Sequence, residues 1–526
     1  MQKAVQYVFI SYCLILSNVG FSQLNIPIAR SYTQSIYQIF LKDSAVKNQN
    51  THLGFKPINE KKTNTDIVFH DQGNYYYWIT QKLFKEHFLI FKGNDFWCVA
   101  DPLIDLEVGN DFSDVDQPIK LWNTRGIRIQ AKFFKNFAFE TSIYENQATL
   151  LNYQTDYVLS HGEFDVSGNS YKQINAIVPG YARTKIFKTT GFDFAFSKGY
   201  FNYQPSKWLS IEAGNGNHFI GHGYRSLLLS DFSVNYPYLK PELLLFNGML
   251  QYNIIYASQQ NLYRLPFHLT PEANYERKLS VGHYLEYSFN KNIQVGLFEN
   301  NTWVRVDSQG TIPLNIASLN PIVGNGLFIS EINNKYNSFY GLNASISLKS
   351  IRMYTQMVFD NNKIGGYQFG LGLYDLFLPK LNLQIEYNQI TSETYLNKNK
   401  RANYNHSNLP LAHPIGNNFQ EIIAIMDFEF KRWFITNTSI YSLRFVSDTG
   451  RVSETLLMQL DNANPNIANN VWFNRIEVGY RFNKKYNLEL YCGYLNRIST
   501  VQSIANSSNF AYFGIKTNLH QKTLDW

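Results

Sequence analysis

Alternation of apolar and polar residues begins near Asp95 and continues almost to the end of this chain. One clear segment alternates Leu381, Leu383, Ile385 and Tyr387 with Asn382, Gln384, Glu386 and Asn388. Successive side chains of a β-strand point to opposite faces, so this period predicts strands with one apolar and one polar face. The segments are about ten residues long, the length of a tilted membrane-spanning strand, whereas strands of soluble sandwiches have about five or six.

The composition agrees with a closed barrel. The chain has 37 Tyr and 40 Phe, which bring aromatic residues to 16%, and charged residues make up only 17%. No stretch after residue 23 offers about 18 consecutive apolar residues, the minimum for a membrane-spanning helix, but a closed barrel can span a membrane because every backbone group is paired. The net charge of +7 is spread along the chain. Without a basic stripe, nucleic acid is not an expected partner.

The connections between strands have two lengths. Short turns at 135–136, 290–292 and 483–486 alternate with long stretches at 145–190, 257–278, 301–338, 391–420 and 445–471. Short turns at one end and long loops at the other are typical of outer-membrane barrels, whose long loops lie outside the cell. We therefore predict an all-β, transmembrane antiparallel outer-membrane β-barrel of about 18 strands. Its last strand is predicted to run from Phe510 to the aromatic Trp526.

The N-terminus predicts export. Residues 1–22 have the layout of a secretory signal peptide, with Lys3, an apolar run and a small residue at Ser22. Residues 23–94 are predicted to form a periplasmic or plug-forming segment with short helices, and residues 95–526 the barrel. We expect the protein in the outer membrane of a Gram-negative cell, with Cys98 and Cys492 as separate wall residues in preference to a disulfide.

Two irregular stretches hold the candidate site residues. Four glycines between Gly214 and Gly223 predict a tightly folded loop that fixes Tyr224, Arg225 and Asp231. A second stretch, 404–421, contains His413, Pro414 and Asn418. We predict that these six residues bind a ligand or organise their loops. His218 and His222 have no glutamate partner and lie among glycines, so no metal or other cofactor is expected, and no catalytic motif appears.

Charged residues that share the non-lipid phase of the alternation are predicted to face the lumen. The members of this lumen set are Arg128, Glu140, Asp193, Glu212, Glu386, Arg475, Glu477 and Arg481. They can form either a paired ladder that stiffens a plugged barrel or a constriction that selects a permeating solute. Aromatic residues such as Trp303, Tyr395, Tyr404 and Trp472 are interpreted as membrane-interface anchors in preference to sugar-stacking platforms.

Several stretches together resemble a known family. They are GNGNHFIGHGYRSLLLSDFSVNYPYLK (214–240), YNSFYGLN (336–343), LGLYDLF and LNLQIEYN (371–388), and YNHSNLPLAHPIGNNFQE (404–421). The sequence resembles the capsule-assembly Wzi-like family of outer-membrane barrels, and within it the Bacteroidetes branch of the gliding-motility protein RemB. The resemblance implies a barrel of about 18 strands blocked by helices and loops, with a lectin-like role at the cell surface.

The resulting expectation is a non-enzymatic outer-membrane barrel that binds or organises surface polysaccharide. Its expected partners are outer-membrane lipid, a surface polysaccharide and, as a further possibility, secretion or gliding machinery proteins. Two alternatives stay open at this point: a porin or transporter, and a structural subunit of a secretion or gliding machine.

Overall fold

The computed structural model describes residues 24–42, 52–60, 75–164, 171–172, 176–188, 190–266, 275–314, 319–324, 326, 336–360, 363–446, 467–517, 520 and 522–526. The predicted signal peptide, residues 1–22, lies outside this described part. No helix within it is long and apolar enough to cross a membrane.

Long antiparallel strands dominate the chain. They are β1 (Phe96–Asp111), β2 (Ile119–Phe133), β3 (Phe137–Ala148), β4 (Gly191–Tyr203), β5 (Leu209–Gly216), β6 (Tyr236–Leu245), β7 (Leu250–Arg264), β8 (Tyr275–Asn290), β9 (Ile293–Asp307), β10 (Tyr336–Leu348), β11 (Ile351–Asp360), β12 (Lys363–Tyr374), β13 (Leu381–Ile390), β14 (Phe419–Phe430), β15 (Trp433–Val446), β16 (Ile467–Asn483), β17 (Leu488–Val501) and β18 (Ile504–Lys516).

The sheet formed by these strands is closed. Each strand pairs with its sequence neighbours, and β18 pairs with β1 in the register Phe510↔Asp111 to Lys516↔Asp105. Closure satisfies the backbone groups of both edges, which a strand in lipid could not otherwise do. The prediction of an 18-stranded transmembrane barrel is confirmed.

The two ends of the barrel differ as the turn lengths predict. Tight connections join β2 to β3, β8 to β9, β10 to β11 and β14 to β15 at one end. Five long connections leave the opposite end: 149–190, 217–235, 308–335, 391–418 and 447–466. In outer-membrane barrels the end with long loops is extracellular, so this end of the barrel is the extracellular one.

The prediction that the last strand continues to Trp526 is wrong. β18 ends at Lys516, which pairs with Asp105 of β1. Further along β1, Pro102 has no N–H with which to extend the ladder. The Thr517 hydroxyl accepts from Ile104 N at 2.7 Å and donates to Pro102 O at 2.6 Å. Residues 522–526 then lie inside the barrel, with Lys522 Nζ 3.0 Å from Asp105 Oδ2.

Residues 24–42 and 52–60 also lie in the lumen, and we call them the plug segment. Helix α1 (Arg30–Lys42) buries Ile36, Tyr37 and Phe40 in an apolar cluster that includes Tyr374 of β12. Polar groups of the helix face the wall: Arg30 Nη2 lies 2.7 Å from Asp427 Oδ2 of β14.

The next segment lies at the end with tight turns. Helix α2 (Trp78–Phe84) accepts a hydrogen bond at Lys82 O from Asn483 Nδ2 at the end of β16. This helix is one of the short helices predicted within residues 23–94, and it is followed by a strand, Leu89–Lys92, that pairs with the start of β1.

Long loops fold back into the extracellular half of the barrel. One apolar cluster joins Ile220 and Leu227–Leu229 to wall residues that include Tyr238 of β6, Phe298 of β9 and Phe419 of β14. A second joins helix α3 (Asn152–Leu159) and Trp526 to Trp122 of β2 and Phe194 of β4. The chain's own loops therefore pack across the lumen.

Candidate functional site

The inner loop, residues 217–235 between β5 and β6, reaches the plug segment. Phe219 and Ile220 pair with Lys56 and Phe55 as a short antiparallel ladder. Gly221, at φ +125°, lies so close to the wall that a Cβ there would be 2.3 Å from Gln356 Nε2. A Cβ at Gly223 would be 2.5 Å from Glu386 Oε2. The glycines that predicted a tight loop are required for this close approach.

Glu386 of β13 anchors the inner loop. Its carboxylate accepts the main-chain N–H of Tyr224 at 2.7 Å and of Arg225 at 3.0 Å. It also accepts from the Tyr354 hydroxyl at 2.8 Å and the Asn388 amide at 2.9 Å. Glu386 was predicted to face the lumen, and there it binds the backbone of the loop.

Arg225 lies at the centre of a buried ionic network with carboxylates from two parts of the chain. Its Nη1 is 3.1 Å from Asp525 Oδ1, and its Nε is 3.8 Å from Glu421 Oε2 of β14. Burial alone would lower the pKa of Arg225, but Asp525 and Glu421 outweigh it and raise that pKa above its usual range. The Tyr224 hydroxyl donates to Asp525, and the guanidinium lies 4.8 Å from the Tyr224 ring centroid.

His413 joins the same network from the second predicted stretch. Its Nε2 is 2.8 Å from Glu421 Oε2, and its Nδ1 accepts from Ile415 N at 3.3 Å. Burial lowers the pKa of His413 although Glu421 opposes that effect, so the neutral ring donates from Nε2. Glu421 thus links His413 to Arg225, two residues that the sequence placed in separate loops.

Pro414 and Asn418 lie outside this network. Pro414 is buried in a turn closed by the hydrogen bond from Gly416 N to His413 O at 2.9 Å. Asn418 has φ +57° and donates its N–H to Thr391 O at 3.3 Å. Both residues fix the path of the loop into β14.

Asp231 shares a small cavity with Tyr224 and Arg225. The cavity measures about 40 Å³ and is also lined by Lys56 and His222. Lys56 donates to Gly221 O at 2.9 Å, and burial lowers its pKa to about 7. Burial raises the pKa of Asp231. The cavity has room for a few water molecules and none for a sugar ring.

Most of the predicted lumen charges are paired across the inner wall. The pairs are Arg128 with Glu140 at 3.0 Å, Glu212 with Lys240 at 2.9 Å, Arg481 with Glu489 at 2.6 Å, and Glu477 with Lys516 at 3.1 Å. Arg475 lines a cavity of about 250 Å³ beside Glu477 and Arg481. Opposite charges therefore neutralise one another along the inner wall around the plug segment.

The prediction that Asp193 faces the lumen is wrong. Its neighbours Phe192 and Phe194 are buried in the luminal cluster, and Phe194 packs at 5.6 Å against the Trp122 ring. Asp193 therefore points outward, in register with Gln147 of β3. The alternation separates the side chains of a strand into two faces, but it does not indicate which face contacts lipid. Near the extracellular end the inner face of β4 is the apolar one, because loops pack on it.

Two important residues had no signal in the sequence. The alternation predicts a continuing strand at Asp525, and Glu421 lies at the end of the stretch 404–421 with no role predicted for it. Both are long-range partners of Arg225, and spacing along a single sequence does not indicate such contacts. Among the described residues, no group of three or more His, Cys, Asp or Glu could hold a metal ion.

Basic and aromatic side chains meet at the extracellular ends of β7 and β8. Arg264 Nη2 lies 2.6 Å from Glu163 Oε2, and Arg183 Nη1 donates to the Tyr275 hydroxyl at 3.0 Å. The Arg401 guanidinium stacks 3.5 Å from the Tyr263 ring centroid. With Arg277, these arginines form what we call the basic rim: Arg183, Arg264, Arg277 and Arg401. None of its members is fully buried.

These features define a transmembrane β-barrel of the outer-membrane type whose lumen is closed by its own loops. Among solved structures the chain is similar to Wzi of Escherichia coli, described as an outer membrane protein involved in group 1 capsule assembly and a carbohydrate-binding β-barrel. The match has a TM-score of 0.54 and 10% identity, over 94% of this chain and 99% of Wzi. At this identity it shows a shared fold.

Other solved barrels match less of the chain. OprD of Pseudomonas aeruginosa has a TM-score of 0.42 and 8% identity, over 80% of this chain and 94% of OprD. OccAB2 of Acinetobacter baumannii has a TM-score of 0.41 and 10% identity, over 80% of this chain and 96% of OccAB2. The sequence matches no family model and no curated protein.

Proposed function

We propose that this protein binds and organises an acidic surface polysaccharide at the outer membrane of a Gram-negative cell, without catalysing a reaction. The observation that carries the proposal is the packing of the extracellular loops across the lumen, where Leu227, Leu228 and Leu411 are fully buried. A water-filled pore needs a polar, open lumen. This barrel instead presents a packed loop surface to the outside.

The basic rim is the contact surface that we propose for the glycan. Arg264 and Arg401 keep 20% and 31% of their side-chain surface exposed while their guanidinium groups lie against Tyr275 and Tyr263. Guanidinium groups bind carboxylates in a fork geometry, and aromatic rings offer a flat apolar face to a sugar. The rim therefore suits a chain of sugars that carry carboxylates.

The predicted site residues have a supporting role in this proposal. Arg225, His413 and Glu421 are buried beneath the extracellular loops and contact one another, so a glycan has no access to them in this state. They hold the inner loop and the loop before β14 together. The binding test should therefore leave them intact.

The test measures binding of the host's own surface polysaccharide to the purified barrel. The rim variant is Arg183→Gln with Arg277→Gln, and the control is Lys207→Gln with Lys349→Gln, two exposed lysines at the tight-turn end. All proteins must remain heat-modifiable barrels. We expect the rim variant to bind about tenfold more weakly, a loss of about 1.4 kcal/mol, and the control to bind like wild type. If the rim variant bound the polysaccharide as tightly as the control variant, the basic rim would not be the contact surface.

A transporter is the second candidate, because the cavity of about 250 Å³ is lined by charged residues of both signs. These residues are Arg30, Asp105, Glu107, Lys120, Asp427, Glu429, Arg475, Glu477, Arg481, Glu489, Lys516 and Lys522. A planar bilayer distinguishes the two functions. Steady single-channel conductance without polysaccharide binding would favour the transporter.

The resemblance to the RemB branch supports a finer version of the first proposal, in which the bound polysaccharide serves gliding motility. A pull-down from detergent-solubilised outer membranes would test for machinery partners. Stoichiometric co-purifying proteins would support a role within a larger assembly, and recovery of the barrel alone would argue against one.

A further inference from the structure

A buried polar patch occupies the outer face of β7, β8 and β9, where lipid-facing side chains are expected. Phe298 points into the luminal cluster, so its neighbour Glu299 points outward, yet Glu299 is fully buried. His283 of β8 is in direct register with Glu299 and is also buried. Two residues before Glu299 on the same face, Leu297 is 48% exposed. The patch is therefore continuous with the lipid-facing wall.

A part of the connection between β9 and β10 covers this patch. Gly324 N and Gly326 N donate to the Glu299 carboxylate at 2.5 Å and 2.7 Å. The Tyr252 hydroxyl donates to Pro321 O at 2.5 Å, and the Tyr256 hydroxyl to Leu319 O at 3.1 Å. We call residues 319–324 and Gly326 the wall segment.

The hydrogen bonds of the wall segment address the main problem of irregular backbone in lipid. An unpaired N–H or C=O in hydrocarbon costs several kcal/mol, so lipid-exposed loops at membrane depth do not normally occur. Here the wall supplies a partner for four main-chain groups of the segment. Conversely, the segment shields the Glu299 carboxylate from lipid. Exposure of a carboxylate to lipid on the outer face of a strand would cost free energy.

The side chains of the wall segment complete the argument. Ile322 is 67% and Leu319 41% exposed on the outside of the barrel. The sequence from Gly310 to Ser330 contains no charged residue, unlike the connections at 391–418 and 447–466. An extracellular loop that stands in water has no reason to avoid charge over such a length.

We propose that the wall segment is embedded in the bilayer, held against the outer wall by Glu299, and that Leu319 and Ile322 contact the acyl chains of the lipid. The wall segment is then a lateral lipid-binding element of the barrel. The length of the connection 308–335 alone predicts a water-exposed loop.

Spin-label accessibility tests the proposal in proteoliposomes. The background is Cys98→Ser with Cys492→Ser, because both cysteines of the described residues are free and the third, Cys13, lies in the predicted signal peptide. Single labels are placed at Ile322→Cys, at Leu297→Cys as the lipid-facing control, and at Gln309→Cys as the exposed aqueous control. We expect the Ile322 label to be several-fold more accessible to oxygen than to a water-soluble nickel chelate, like the Leu297 label. Accessibility like that of the Gln309 label would overturn the proposal.

A second variant tests the anchor separately. Adding Glu299→Ala removes the acceptor of Gly324 N and Gly326 N. The Ile322 label should then become more accessible to the nickel chelate, while the Leu297 label stays unchanged. An unchanged Ile322 label would show that Glu299 is not the anchor.

Discussion

Two long connections leave the same end of the barrel and take opposite paths. The inner loop enters the lumen, and the wall segment lies on the outer face. Each is held by one glutamate of a strand that accepts two main-chain N–H groups: Glu386 from Tyr224 and Arg225, and Glu299 from Gly324 and Gly326. In both cases the anchor is a glutamate carboxylate that binds two main-chain N–H groups. Each loop lies on the same face of the barrel as its glutamate, the luminal face for Glu386 and the outer face for Glu299.

The two glutamates differ more in their surroundings than in the hydrogen bonds that they accept from the loops. Glu386 also binds Tyr354 and Asn388 from the wall, and the loop that it holds packs in an apolar cluster that spans the lumen. Glu299 holds a segment whose apolar side chains face outward. The inner loop is thus part of the core of the barrel, whereas the wall segment packs on the outside of the barrel.

The largest expected effect that tests this difference is that of Glu386→Ala. It leaves three donors without an acceptor: Tyr224 N, Arg225 N and the Tyr354 hydroxyl. The Asn388 amide keeps Glu421 Oε2 as its acceptor at 3.2 Å. At about 1–3 kcal/mol per buried unsatisfied group, we expect a loss of at least about 3 kcal/mol in unfolding free energy. Urea unfolding in detergent micelles, followed by tryptophan fluorescence, measures it.

Glu299→Ala in the same urea experiment is the matched control. It should change the global unfolding free energy by less than about 1 kcal/mol, because the wall segment can open locally. Glu386→Gln, which keeps one acceptor oxygen, should fall between wild type and Glu386→Ala. Equal losses for Glu386→Ala and Glu299→Ala would break the distinction between a core loop and a peripheral one.

The next effect concerns the ion pair that joins the inner loop to Asp525. Removing one partner of a buried pair leaves the other uncompensated, so Arg225→Met should destabilise the barrel by about 3 kcal/mol. Asp525→Asn should recover part of that loss in the double variant, with a coupling energy of about 1–3 kcal/mol. Urea unfolding of the two single variants and the double variant provides the cycle.

An exposed pair outside the inner loop calibrates that cycle. Lys363 and Glu393 are 3.7 Å apart, and their side chains are 76% and 78% exposed. The cycle of Lys363→Met and Glu393→Gln should show coupling of only about 0–0.5 kcal/mol. A coupling for Arg225 and Asp525 no larger than this would mean that burial adds nothing to their interaction.

The comparison also explains what could be predicted from the sequence. The length of the strands and their two-residue alternation predicted the closed sheet. Every strand of a membrane-spanning barrel needs this length and this alternation, so the signal repeats along the chain. The glycines at 221 and 223 predicted the close approach of the inner loop, since only their backbone fits against Gln356 and Glu386. Each of these requirements is visible in a short stretch of the sequence.

Other features depend on contacts between distant parts of the chain. Asp193 was assigned to the wrong face because the apolar face of β4 packs on loops and not on lipid. The partnership of Arg225 with Asp525 joins residues 300 positions apart. Glu299 and Asn301 did break the apolar phase set by Ile293, Val295 and Leu297. That break was the available signal for the wall segment, and it indicates that a polar residue in the lipid-facing phase needs a covering partner.

The smallest effect compares one glycine from each connection. Gly221 of the inner loop and Gly310, which precedes the wall segment, have nearly the same φ, +125° and +123°. A Cβ at Gly221 would be 2.3 Å from Gln356 Nε2, whereas a Cβ at Gly310 would meet nothing within 4 Å. Backbone strain from a positive φ costs about 1 kcal/mol in either place, and only Gly221→Ala adds steric crowding against the wall. We therefore expect Gly221→Ala to lower the unfolding free energy by about 2–3 kcal/mol and Gly310→Ala by about 1 kcal/mol or less, measured by urea unfolding. If the two variants lost the same amount, strain alone would account for both glycines, and the inner loop would not be packed against Gln356.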